Sequence, residues 1–177
     1  MLVVAATERE LMHVRGMETF VCGIGPVEAA LQTARAVADR RPDTVLHVGI
    51  AGSRRLEPLS LVLGAEAVYC DVIDAASTLP RIERVEPDAA LLERVGAQLP
   101  EARRLPIATC GKVGGATDHD VEAMEGFGVL RACALAGVPA VELRVISNSP
   151  DEPDRSKWRF DEAFELLGKT LDRLDVV

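Results

Sequence analysis

The chain has 177 residues, 48% of them apolar, and a formal net charge of −8. That length suits one domain with a sizeable core, and that apolar fraction excludes wholesale disorder. With 20 Lys and Arg forming neither stripe nor cluster, the acid excess argues against nucleic acid and other long polyanions as partners.

Residues 1–7, "MLVVAAT", form a valine-rich apolar run closed by polar residues, which reads as a buried strand. "TFVCGIG" (19–25) reads as a second strand running into a glycine turn. In "PVEAALQTARAVADRR" (26–41), Val27, Ala30, Leu31, Ala34, Val37 and Ala38 recur as one apolar helix face, and Pro26 suits the first helical position. "TVLHVGIAG" (44–52) is another buried-type strand, and "LGAEAVYCDV" (63–72) a further one. "PDAALLERVGAQL" (87–99) reads as an amphipathic helix and "RLPIATCG" (104–111) as a strand. Glu125 to Ala136 reads as a helix, with Gly137 at its stop and Pro139 just beyond. "PAVELRVIS" (139–147) is a strand, and "FDEAFELLGKTLDRL" (160–174) a closing helix. Strands alternating with helices predict a single α/β domain over 1–177, a mixed twisted sheet flanked by helices.

No apolar stretch approaches the ~18 residues that span a bilayer, and the N-terminus lacks the basic region of a signal peptide. The expectation is a soluble, cytoplasmic protein without membrane contact. Cys22, Cys70, Cys110 and Cys133 lie far apart in apolar contexts, without CxxC or Cys/His spacing. They read as reduced core thiols, and neither a metal site nor an organic cofactor is expected.

In α/β sheets ligands gather at strand ends, and here the strand ends carry distinctive residues: "AATERE", "GIGP", "GIAGS" and "ISNSP". "GIGPVE" lacks the third glycine of a dinucleotide fingerprint. In "AMEGFG", Glu125 reads either as a helix-entry acid favoured by the helix dipole or as a ligand-facing carboxylate. Met124 reads correspondingly as core filler or as a sugar contact. Glu8 and Glu10 both read as first-turn acids of a helix. His47, on an apolar strand, reads as a satisfied core histidine. Asn148 reads either as a turn former before Pro150 or as a hydrogen-bonding side chain in a site.

In order along the chain, "AATERE", "GIGPVEAA", "VGIAGS", "AMEG" and "LRVISN" resemble the nucleoside phosphorylase and nucleosidase superfamily. "AMEGFGVL" and "ELRVISNSPDEPDRSKW" are similar more particularly to the futalosine hydrolases, which release hypoxanthine from futalosine on a route to menaquinone. The resemblance implies a phosphorylase/hydrolase-like fold, somewhat truncated here, since only twelve residues separate Glu10 from Gly23, where the family places a β-hairpin. It implies a small-molecule nucleoside substrate and a homodimer or higher homo-oligomer.

Carried over residue by residue, the resemblance makes Glu125 the acceptor of the ribose 2′- and 3′-hydroxyls, with Met124 against the sugar and Arg144 as charge partner. Glu10 becomes the base that takes a proton from the attacking water. Asn148 stands where adenine-specific relatives carry an aspartate that protonates N7, and its amide suits N7 and O6 of a 6-oxopurine. Ile50, Ala51, Gly52, Ser147, Phe127 and Trp158 are the remaining pocket candidates, with Phe127 either stacked on the base or in the core. Family phosphorylases hold phosphate with an arginine and a serine where this chain has His47 and Ile50. Arg54 and Arg55 are the possible substitutes, and water is the expected nucleophile.

Overall fold

The computed structural model describes residues 1–71, 78, 80–114 and 117–175. In chain order its elements are β1 (Leu2–Ala5), α1 (Glu8–Leu11), β2 (Glu18–Val21), α2 (Pro26–Arg40), β3 (Val45–Ser53), β4 (Leu61–Tyr69), β5 (Arg84–Val85), α3 (Ala89–Gln98), β6 (Arg103–Thr109), β7 (Val121–Ala123), α4 (Gly126–Ala136), β8 (Ala140–Asn148) and α5 (Phe160–Leu171). The mixed sheet flanked by helices that the sequence predicts is the architecture observed. The end of the predicted strand 63–72, at Val72, lies outside the described residues.

The side-chain period of two sorts each strand between layers. From β1, Val3 and Ala5 join a core beneath α3 and α5, with Leu46, Val48, Leu143, Leu167 and Leu171. Leu2 and Val4 point the other way, to a core with Val37, Val129, Leu130 and the buried Cys22. β2 is the outer edge strand on this side, pairing parallel with β1, which pairs parallel with β3.

Beyond β3 the sheet closes on itself. β3 pairs parallel with β8 along its length and antiparallel with β7 at Gly52 and Ser53. β8 then pairs with β4, β4 with β6, and β6 with β7. Register shifts between Ala51 and Gly52 and between Gly64 and Glu66 supply the bends such closure needs. Ala51, Val62, Ile107, Val121 and Ile146 fill the enclosed core. The C-terminal ends of β1, β3 and β8 therefore converge, with β7 alongside.

Helix ends follow their sequence signals. Asp88 caps α3 by accepting from Leu91 N at 2.8 Å, and Gly137 ends α4 with φ at 70°. α2 departs from expectation: Ala29, Thr33, Ala36 and Val37 face inward, while Val27 and Leu31 are 67% and 64% exposed. The reason is its close packing on α4, where a Cβ on Gly128 would collide with Pro26 O and crowd Ala30. Small residues let the two backbones approach, and the larger apolar residues are left outside.

Candidate active site

The strand ends and the adjoining helix termini surround a cavity of about 240 Å³. Its walls include the sequence candidates Glu10, Ile50, Ala51, Gly52, Met124, Glu125, Ser147, Asn148 and Trp158. Arg144 lies behind them and is fully buried. Phe127 stays outside: α4 turns its ring onto Tyr69, 5.3 Å between centroids, so it serves packing and does not reach the cavity. Glu8 is exposed, whereas Glu10 is buried, so the cavity separates two acids that sequence alone left as rivals.

Glu10 is fixed by a capping box. Thr7 is the N-cap of α1, and Thr7 N and Oγ1 both donate to Glu10 Oε2 at 2.9 Å. Glu10 Oε1 accepts from Ile50 N at 3.2 Å. Burial foremost pushes its carboxyl pKa up; Arg144 opposes this and Glu125 reinforces it. A Cβ on Gly49 would overlap both Arg144 and Glu10, so glycine there lets the two side chains meet.

Arg144 is held from every side. Its Nε donates to Glu142 Oε1 at 2.7 Å, and Nη2 lies 3.5 Å from Glu125 Oε2. His47 Nδ1 faces Val4 O at 3.0 Å, and a carbonyl only accepts, so that nitrogen carries the proton. His47 Nε2, 2.5 Å from Arg144 Nη2, is then the acceptor. Burial, with Arg144 beside it, holds the His47 pKa well below its usual value. His47 is thus the satisfied core histidine expected. Burial alone would lower the Arg144 pKa, but Glu142, Glu125 and Glu10 outweigh it and keep the guanidinium charged.

Glu125, at the N-cap position of α4, accepts from Gly25 N at 3.1 Å through Oε1. The "GIGP" turn therefore reaches the site through its backbone. Ser147 Oγ donates to Asn148 Oδ1 at 2.7 Å, which orients the amide and leaves its NH2 for a ligand. Arg54 pairs with Glu122 and Asp151, and Arg55 with Asp120, so neither stands in for a phosphate-binding arginine.

Sequence reading missed Thr7, Glu122, Phe160 and Phe164, all of which line the cavity. The capping box was visible as Thr7-x-x-Glu10, and Phe160 and Phe164 stand one helical turn apart. With Trp158 those two rings make an aromatic wall, at centroid distances of 5.4 and 6.3 Å. Glu122 carries no local signal. Among the described residues no group of His, Cys, Asp and Glu is arranged to hold a metal ion, and no helix is long and apolar enough to cross a membrane.

Comparison with known proteins finds relatives of the chain in sequence and in fold. Residues 15–175 match the family model of the phosphorylase superfamily. A futalosine hydrolase from Streptomyces coelicolor is 32% identical over 186 aligned residues, covering 90% of this chain and 78% of that protein. One from Acidothermus cellulolyticus is 31% identical, covering 88% and 77%. In fold, the native futalosine hydrolase of Helicobacter pylori superposes with a TM-score of 0.86 at 20% identity, over 98% of this chain and 95% of that one.

Proposed function

The chain belongs to the phosphorylase superfamily, and within it we propose an N-glycosyl hydrolase that cleaves a 5′-substituted 6-oxopurine nucleoside, futalosine, and releases hypoxanthine. The observation that carries this reading is the convergence of Glu10, Glu125 and Asn148, from three separate strand ends, on one cavity. Glu125 accepts the ribose hydroxyls, and Arg144 keeps its carboxylate in place. Glu10 takes a proton from water as that water attacks C1′. Asn148 donates to N7 while negative charge builds on the departing base. Fixing base, sugar and water together supplies much of the acceleration. Such an enzyme would serve menaquinone biosynthesis.

Water is the nucleophile because the phosphate-gripping positions are spent. His47 is engaged by Arg144 and Val4, and Ile50 offers no polar side chain. Hypoxanthine release from futalosine is therefore expected in phosphate-free buffer, measured by chromatography. Release only after phosphate is added would make the protein a phosphorylase.

Asn148→Asp should shift the inosine-to-adenosine preference toward adenosine by about tenfold or more, the scale of one hydrogen bond to a charged group. Relative kcat/KM on the two nucleosides measures it, and an unchanged ratio would remove Asn148 from base recognition.

We assign the exposed face of α2 and α4 to a second copy of the chain. Val27, Leu31 and the 72% exposed Leu135 form an apolar surface there that continues through Tyr69 and Phe127. Sedimentation should find a dimer or larger assembly, and Leu31→Glu with Leu135→Glu should convert it to monomer. A wild-type monomer at micromolar concentration would sink this assignment.

A further inference from the structure

Among the described residues, three buried side-chain oxygens lack a hydrogen-bond partner: Thr33 Oγ1, Glu142 Oε2 and Glu122 Oε2. Of these three residues, Glu122 is the one that lines the cavity. It stands on β7, buried, with Oε1 accepting from Gly114 N at 2.8 Å. The nearest cation to Oε2 is Arg54 Nη1, at 3.5 Å. Arg54 balances its charge but leaves this buried acceptor without a hydrogen bond, which a ligand N–H would supply.

The register says which part of a ligand would meet it. Gly52 on β3 has Glu122 as its partner on one side and Asn148 on the other. Directly paired residues project from the same face of a sheet, so the two side chains flank Gly52. A Cβ on Gly52 would lie 3.2 Å from Asn148 Nδ2 and 2.9 Å from Pro150 Cγ, so glycine keeps the gap between them open. A flat heterocycle entering that gap presents one edge to an amide and another to a carboxylate.

We propose that Glu122 is a specificity-determining residue of this site, its Oε2 accepting a hydrogen bond from N1–H of a 6-oxopurine. This rests on the purine nucleosidase reading above and deepens it. A 6-oxopurine carries hydrogen on N1, whereas N1 of a 6-aminopurine is a bare lone pair. A carboxylate accepts only, so it welcomes the first and opposes the second. Asn148 alone is less decisive, since its NH2 donates to N7, which accepts in both kinds of purine nucleoside. Two residues on facing strands then read two edges of one base. Fixed hydrogen-bonding groups discriminate far more sharply than apolar walls.

The test uses free bases and the intact protein, with calorimetry as readout for hypoxanthine, 1-methylhypoxanthine and adenine. The wild type is expected to bind hypoxanthine about 10- to 100-fold more tightly than either of the others, the scale of one hydrogen bond to a charged group. Glu122→Ala should bring all three within a few-fold, because it removes the acceptor and makes room for the methyl. A residue that merely anchors Arg54 and the Gly114 turn would lower affinity for all three alike, and an unchanged ratio overturns the proposal. If the variant does not fold, the wild-type comparison still decides: equal binding of hypoxanthine and its 1-methyl derivative overturns it. Should no purine bind and no purine nucleoside be cleaved, the nucleosidase reading itself falls. Binding of hypoxanthine without discrimination removes Glu122 alone.

Discussion

Replacing Glu10 by glutamine is expected to lower kcat by about 10²- to 10⁴-fold, the contribution of a positioned general base. Binding of the free base should stay within a few-fold, since Asn148 and Glu122 are untouched. The amide oxygen still accepts from Ile50 N, but the donors of Thr7 lose the charged oxygen they share. A stability loss of about 1 kcal/mol is the usual scale for a damaged cap. The pH profile separates chemistry from folding. Burial raises the Glu10 pKa above its ordinary value of 4.5, and a base works only when deprotonated. Activity therefore falls as pH drops through that raised value, placing the acid limb of kcat/KM above the ordinary carboxylate range. In the glutamine variant the residual rate should lack that limb. An unchanged kcat would remove Glu10 from the reaction.

Arg144→Met should be the most destabilising substitution in the site. Removing one partner of a buried ion pair typically costs about 3–5 kcal/mol, because the remaining charge is stranded. Here three carboxylates, on Glu142, Glu125 and Glu10, lose their common cation. At about 2–4 °C per kcal/mol for a chain this long, the midpoint should fall by about 6–20 °C. The pH dependence has a definite sign. Burial raises the carboxyls of Glu10 and Glu142 and Arg144 restrains that rise, so its loss lifts them further. An acid whose folded pKa exceeds its unfolded one gives stability that is present at low pH and lost as pH rises through the folded value. The variant's midpoint should thus decline from pH 5 to pH 8 more steeply than the wild type's. Adding Glu142→Gln should recover part of the loss. A shift of a degree or two, flat with pH, would mean that the cluster tolerates losing its cation.

Sequence legibility followed length and locality. β1, β3 and β8 stand out because they are buried on both faces and rich in apolar residues, although β3 includes His47 and β8 includes Glu142 and Arg144. β7 has three residues and β5 two, too few for any period to register. Closure of the sheet into a ring depends on β7 and on two register shifts, so it leaves little trace in the chain. Glu10, Glu125 and Asn148 were legible through the motifs that resemble the family; residue type and spacing alone left Glu10 level with Glu8 and gave Glu125 and Asn148 two readings each. Glu122 was not, for its significance comes from Gly52 and Gly114, residues remote in sequence. α2 misled because an apolar stripe marks what must be covered, and here α4 takes the small-residue side instead. Phe127 took the packing alternative that its helical position offered: half-buried, it lies against the core and stacks on Tyr69.

The buried Cys22, just past the edge strand β2, gives the site a built-in stopwatch. Burial above all, with Glu125 adding, pushes its thiol up to about 12. The thiolate is the nucleophile that attacks an alkylating agent and displaces its leaving group, so at neutral pH such an agent should modify Cys22 only when the β1–β2 edge peels open. The slow appearance of that adduct, followed by mass spectrometry, reads the frequency of local opening beneath the cavity. A bound nucleoside that tightens Glu125 against the Gly25 turn should slow the clock.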